Sequence, residues 1–121
     1  MSHSDVVMDF INAWNRMDWD AVEEALAEDV FYHNIPMPPA EGKAAAVAFI
    51  RGMDVKEVDW QVLNIAENGN VVLTERVDNF VMADDKTVSL PVMGAMEIEG
   101  GKIKVWRDYF DLATFTSQMA G

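Results

Sequence analysis

From Val58 onward the chain alternates apolar and polar residues with a period of two, broken only at short polar or glycine pairs. Few folds accommodate such a stretch. It reads as four strands, Val58 to Glu67, Asn70 to Ala83, Thr87 to Ile98 and Lys102 to Phe110. The breaks at Asn68-Gly69, Asp84-Asp85 and Gly100-Gly101 are suited to hairpin turns, so the strands form an antiparallel meander. The first half has helical spacing instead. From Ser4 to Met17, Val6, Val7, Phe10, Ile11, Trp14 and Met17 fall on one helix face. Asp18 can cap a second short helix that buries Trp19, Val22 and Leu26. Asp29 to Asn34 reads as a short strand that stops at Pro36, Pro38 and Pro39. Gly42 to Met53 reads as a third helix, apolar at Val47, Ile50 and Met53. Helices followed by a meander predict an α+β fold, with helices packed on one face of a curved sheet. The 121 residues fit one domain, 1–121.

Charge narrows the choice of partner. With 21 acidic against 9 basic residues the formal net charge is −12, which disfavours nucleic acid and anionic lipid, both bound mainly by Lys and Arg. A neutral or apolar small molecule, or a second copy of the chain, is the expected partner. No cysteine is present, so disulfides, thiolate catalysis and Cys-ligated metals are excluded. Two histidines, His3 and His33, make a poor metal site, and no metal is expected. The start lacks a basic stretch followed by an apolar run, and no segment is long and apolar enough to span a membrane. A cytoplasmic protein is the expectation, and the small size favours a homodimer.

The informative residues are polar groups on faces that should be buried. Residues two apart on a strand point the same way. Val72, Thr74, Arg76, Asp78, Phe80 and Met82 therefore share one side, and Val71, Leu73, Glu75, Val77, Asn79 and Val81 the other. Lys104, Trp106, Asp108 and Phe110 share a face of the last strand, and Tyr32 with Asn34 share a face of the short one. Three strands can thus bring Tyr32, Asn34, Arg76, Asp78 and Asp108 into one cavity.

Each of these has a plainer reading. An Arg and an Asp two apart on a strand are most often a surface ion pair, worth ~0–1 kcal/mol. Asp108 alone could be a strand-end charge, and Tyr32 and Asn34 are ordinary strand-end residues. The joint pattern argues otherwise, because each group shares a face with large apolar residues and buried charges persist only when paired. His33 points away from Tyr32 and Asn34 and is expected to be structural. His3 is expected in a frayed terminus.

Four stretches resemble the limonene-1,2-epoxide hydrolase family, within the NTF2-like (SnoaL-like) folds. They are Tyr32-His33-Asn34-Ile35-Pro36-Met37-Pro38-Pro39-Ala40, Thr74-Glu75-Arg76-Val77-Asp78, Leu90-Pro91-Val92-Met93-Gly94 and Trp106-Arg107-Asp108-Tyr109-Phe110-Asp111. The likeness runs from about Val30 to Phe115 with the order intact. It implies a cone of N-terminal helices in the concave face of a curved, mainly antiparallel mixed sheet. It further implies a cofactor-independent epoxide hydrolase acting on an apolar epoxide. Asp108 would take a proton from water, Tyr32 and Asn34 would hold that water, Asp78 would protonate the epoxide oxygen, and Arg76 would orient both carboxylates. Met53, Phe80, Leu90, Val92, Trp106 and Phe115 match the family's pocket-lining positions.

The chemistry is coherent with those residue types. An epoxide oxygen leaves poorly unless protonated, and water attacks poorly unless a base removes its proton. One carboxyl must be neutral while the other is ionised, which a buried pair sharing one Arg can achieve. Two rivals remain at this point. A ketosteroid-isomerase-like or polyketide-cyclase-like enzyme of the same fold would move a proton on carbon, a role for which an Arg between the carboxylates is poorly suited. A non-catalytic small-molecule-binding module would keep the same residues for structure alone.

Overall fold

The computed structural model describes residues 2–120, and among them are four helices and six strands. The first helix, α1 (His3–Asn15), begins in a capping box: Ser2 Oγ accepts from the Asp5 amide and the Asp5 carboxylate accepts from the Ser2 amide. Its apolar stripe buries Val7, Phe10, Ile11 and Trp14. Asp18 accepts from the Ala21 amide at 3.2 Å and starts α2 (Trp19–Glu24). The strand β1 (Leu26–Asn34) follows, then the two-residue β2 (Ala40–Glu41), α3 (Lys43–Gly52), β3 (Val55–Asn68), β4 (Val71–Met82), β5 (Thr87–Glu99), β6 (Lys102–Tyr109) and α4 (Leu112–Ala120).

One sheet holds all six strands in the order β2-β1-β6-β5-β4-β3. The pairing is antiparallel throughout except between β1 and β6, which run parallel, so the sheet is mixed. Register shifts in β1, β3 and β6 add local bend and twist. Helix α1 lies across β3, β4 and β5, and α3 packs on β1. Between helices and sheet sits an aromatic core. Trp14 stacks on Trp60 at 4.4 Å and Tyr32 on Trp106 at 4.1 Å, while Phe10 meets Trp106 edge-on at 5.0 Å. Among the described residues no helix is long and apolar enough to cross a membrane.

The meander follows the expected order with modest shifts. The β5–β6 turn is Gly100-Gly101, with φ of 59° and 76°, the geometry of a tight hairpin that non-glycine residues resist. The β3–β4 turn is Gly69-Asn70, one residue later than Asn68-Gly69. Leu26 does not belong to the second helix. It begins β1, because α2 ends at Glu24 and the chain extends at once to pair with β6. Lys104 does not share the inward face of Trp106 and Asp108. A register shift lies between the pairs Ile98–Ile103 and Glu97–Val105, so Lys104 is the extra residue and turns outward to Asp29. His3 is not in a frayed end either; its ring lies 2.9 Å from the Gly69 carbonyl, tying α1 to the β3–β4 hairpin. Strand β2 and helix α4 were not anticipated. For α4 a signal was present: Asp111 accepts from the Thr114 amide at 3.0 Å, an N-cap pattern ahead of Phe115 and Met119.

Candidate active site

Strand β4 turns Val72, Thr74, Arg76, Asp78 and Phe80 inward, as its alternation requires. Three of those five carry polar groups, and all are buried: Thr74 and Arg76 are 1 % exposed, Asp78 4 %. Across β5, strand β6 brings Asp108 to the same place, also 4 % exposed. In the register of the sheet, Asp108 pairs with Gly94 on one side and with Asn34 on the other. The Asp108 carbonyl also accepts from the Ile35 amide at 2.9 Å, which fixes the end of β1 beside it.

Arg76 is the centre of the cluster. Its Nε and Nη2 donate to the two oxygens of Asp78, both at 2.9 Å. Its Nη1 and Nη2 donate to the two oxygens of Asp108 at 3.2 and 2.9 Å. Nη1 also donates to Thr74 Oγ1 at 3.0 Å. The guanidinium has five N–H donors, and every one has an acceptor. Its face lies over the Trp60 ring at 5.0 Å, which adds cation–π attraction. Burial opposes the charge, but Asp108 and Asp78 more than offset it and hold Arg76 above its ordinary value. The Arg is permanently a cation.

One cation therefore faces two carboxyl groups in a buried site. Burial pushes Asp78 up to about 6, against the hydrogen bonds and charge of Arg76 and with the help of the Asp108 charge. Burial and the Asp108 charge also raise the Tyr32 phenol well above its usual range, so it stays an O–H donor. The arrangement offers a carboxyl that can hold a proton near neutral pH and hydrogen-bonding groups beside it.

The cluster opens on one side into a small cavity of about 60 Å³. Tyr32, Asn34, Asp78 and Asp108 supply its polar wall, and Trp60, Phe80, Leu90 and Val92 much of the apolar one. Phe49 and Met53 from the region of α3, Met37 from the turn after β1, and Phe110 and Phe115 at the chain's C-terminal end close it over. Thus Tyr32, Asn34, Asp78, Asp108, Met53, Phe80, Leu90, Val92 and Phe115 are brought together around one space. Arg76 lies behind the two carboxylates rather than on the cavity surface. Trp106 is not among the lining residues; it is wholly buried beneath Tyr32, whose ring covers it. His33 faces away and its Nε2 lies 3.0 Å from the Met37 carbonyl, holding the turn that carries Met37 over the cavity.

Sequence reasoning missed Met37, Phe49, Trp60 and Phe110 as lining residues. Trp60 had a usable signal, since it lies between Val58 and Val62 in the period of two; Phe110 shares the face of Asp108. Met37 sits in a proline-rich turn, where no period applies. Among the described residues, no three His, Cys, Asp or Glu side chains gather as a metal-binding group.

Comparison with known proteins gives the family and the fold. Residues 1–121 match the family described as the limonene-1,2-epoxide hydrolase catalytic domain. The chain is 33 % identical over 104 residues to epoxide hydrolase EphG of Mycobacterium tuberculosis, covering 85 % of this chain and 69 % of that protein. A solved epoxide hydrolase of the same type from M. tuberculosis superposes with a TM-score of 0.84 at 30 % identity, covering 96 % of this chain and 87 % of the other. An NTF2-like protein of unknown function from Burkholderia pseudomallei, 23 % identical, superposes at 0.81 over 93 % of this chain and 94 % of its own, which places the fold alone.

Proposed function

This chain belongs to the limonene-1,2-epoxide hydrolase family, and from that premise we propose that it adds water directly to an apolar epoxide to give a vicinal diol, by concerted acid and base catalysis without a cofactor. The observation that carries this reading is the single buried Arg76 bound by two hydrogen bonds to each of Asp78 and Asp108. Asp108, ionised, takes a proton from a water held by Tyr32 and Asn34. The water oxygen forms a bond to one epoxide carbon as the carbon–oxygen bond of the ring breaks. Asp78, neutral at the start, gives its proton to the departing oxygen. Afterwards the charge sits on Asp78 and the proton on Asp108.

The shared cation makes this exchange inexpensive. Before and after the step, the cluster holds one Arg cation, one carboxylate and one carboxylic acid. Negative charge moves from one side of the guanidinium to the other, and the guanidinium is already bonded to both sides. No new charge is buried. Concerted proton transfers of this kind contribute on the order of 10²–10⁴ in rate each. The apolar wall of Trp60, Phe80, Leu90 and Val92 favours a hydrocarbon-like substrate, and the only full cation of the cluster is hidden behind the carboxylates.

The test is diol formation from cyclic terpene, cyclohexene, styrene and steroid-sized epoxides in ¹⁸O-water. In a single turnover with enzyme in excess, direct attack gives diol that carries the label. Attack by a side-chain carboxylate would give unlabelled diol in that first turnover and overturn the mechanism. Turnover of none of the epoxides by folded protein would overturn the activity, and isomerisation of a ketosteroid would then support the proton-transfer rival. We also propose that the chain forms a homodimer, supported by exposed Leu73, Met93 and Tyr109 on the outer sheet face and tested by light scattering of the pure protein.

A further inference from the structure

Four of the five N–H groups of Arg76 go to carboxylates, and the fifth goes to a neutral hydroxyl. Thr74 Oγ1 accepts it at 3.0 Å and is as deeply buried as the Arg itself. Thr74, Arg76 and Asp78 occupy successive inward positions of β4, so one strand supplies acceptors at both ends of the guanidinium. Asp108 supplies the acceptors between them.

Gly94 makes room for this. It pairs with Thr74 on one side and Asp108 on the other. A Cβ at Gly94 would stand 2.5 Å from Arg76 Nη1, 2.7 Å from Asp108 Oδ1 and 2.9 Å from Thr74 Oγ1. All three contacts are far too close. The backbone of Gly94 is not in the left-handed region, so glycine is needed here for space and not for its conformational freedom.

We propose that Thr74, seated in the space left by Gly94, is a positioning residue for the reaction: through Arg76 it keeps the guanidinium divided equally between Asp78 and Asp108. The inference rests on the acid and base roles proposed above. Without the hydroxyl, one buried N–H has no acceptor. The guanidinium then turns toward one carboxylate at the expense of the other, and the equal division is lost. The bare donor is on Nη1, whose other acceptor is Asp108, so the cation leans toward Asp108 and loosens its hold on Asp78, which then gives up its proton less readily. Few other groups can compensate. Asp78 is faced by Arg76 on its own strand, Asp108 on β6 and Tyr32 on β1, while β3 contributes the Trp60 indole and β5 contributes Leu90 and Val92. The nearby parts of α3 and α4 contribute Phe49 and Phe115, which carry no charge.

Thr74→Val, Thr74→Ser and Gly94→Ala are compared with the unaltered protein in two ways: hydrolysis of cyclohexene oxide, and titration of the Asp78 carboxyl by ¹³C NMR. Thr74→Val is expected to lower kcat on the order of tenfold, the equivalent of one misplaced hydrogen bond. KM should stay within about twofold, because Thr74 does not line the cavity. The Asp78 midpoint should rise by roughly half a unit or more. Serine restores both readouts, and Gly94→Ala reproduces the valine defect. The proposal is overturned if Thr74→Val lowers only the melting temperature, leaving kcat and the Asp78 midpoint unchanged, or if serine is as impaired as valine. The NMR readout needs no turnover. A shifted Asp78 midpoint in protein that hydrolyses no epoxide would keep the positioning role and reject the hydrolase.

Discussion

Arg76 and Arg107 stand on opposite faces of one sheet, each joined to a carboxylate by side-chain hydrogen bonds, and they have little else in common. Arg107 projects from the outer face of β6, about a third exposed, and bonds Glu97 at 2.7 Å across to β5. Arg76 projects inward from β4, fully buried behind two partners that reach only the cavity. Water screens the outer pair, and the solvent can replace either partner at little cost. Nothing replaces the partners of Arg76. Burial therefore turns an ordinary pairing into one whose protonation is tightly constrained, and that constraint is what acid–base chemistry uses. The other ion pairs among the described residues resemble Arg107 in reaching the surface, Lys102 with Glu24, Lys104 with Asp29 and Arg51 with Glu23 among them.

Substitutions on the two faces separate them sharply. Asp108→Asn is expected to reduce diol formation by on the order of 10²–10⁴-fold while leaving the fold intact, since it removes the base and keeps the shape. Arg76→Ala leaves two buried carboxyl groups without their cation and is expected to cost about 3–5 kcal/mol in chemical denaturation at pH 7. Part of that loss should return at pH 4, where the carboxyls take up protons. For the unaltered protein, kcat/KM should decline as pH rises above about 6, the value to which burial pushes Asp78, because the acid is then ionised. The same shift governs stability. The Asp78 carboxyl binds its proton more tightly folded than unfolded, so its contribution is complete below about pH 4 and is lost as pH rises through about 6. Asp78→Asn, which cannot titrate, should accordingly gain stability relative to the unaltered protein between pH 4 and 7, read as a difference in melting temperature. The smallest effect belongs to the outer face: Arg107→Ala should change stability by less than about 1 kcal/mol, diminish further with salt, and leave turnover as it was. A large loss there would erase the distinction.

How far these faces could be read in advance depended on the strands. Thr74, Arg76 and Asp78 shared a face on simple alternation, and β4 is regular enough to honour it. Lys104 failed the same rule because β6 carries an extra residue at that point, and a bulge has no periodic signature. Trp106 lay on the correct face but at the wrong depth. Spacing tells which side a residue takes, and only the stacking of Tyr32 over the indole decides what the cavity touches. Gly94 was the least readable of all, since a missing side chain acquires meaning only when three polar atoms crowd the position it leaves. Met37 reaches the cavity from a turn whose placement depends on the finished sheet, whereas Phe115 follows from the family resemblance and not from any periodicity.

The attachment of that last helix has a consequence beyond the cavity. Strand β6 pairs with β5 only from Met93 onward, so the first part of β5 has no strand on that side. Helix α4 lies there, and the amide of Gln118 accepts from the Ser89 amide at 2.7 Å and donates to the Ser89 carbonyl at 2.9 Å. A single side chain thus makes the two bonds that a neighbouring strand would make. An open strand margin is a template on which extended segments of other molecules can add. By occupying both groups of Ser89, Gln118 withholds from such a segment the pair of backbone bonds it would need there.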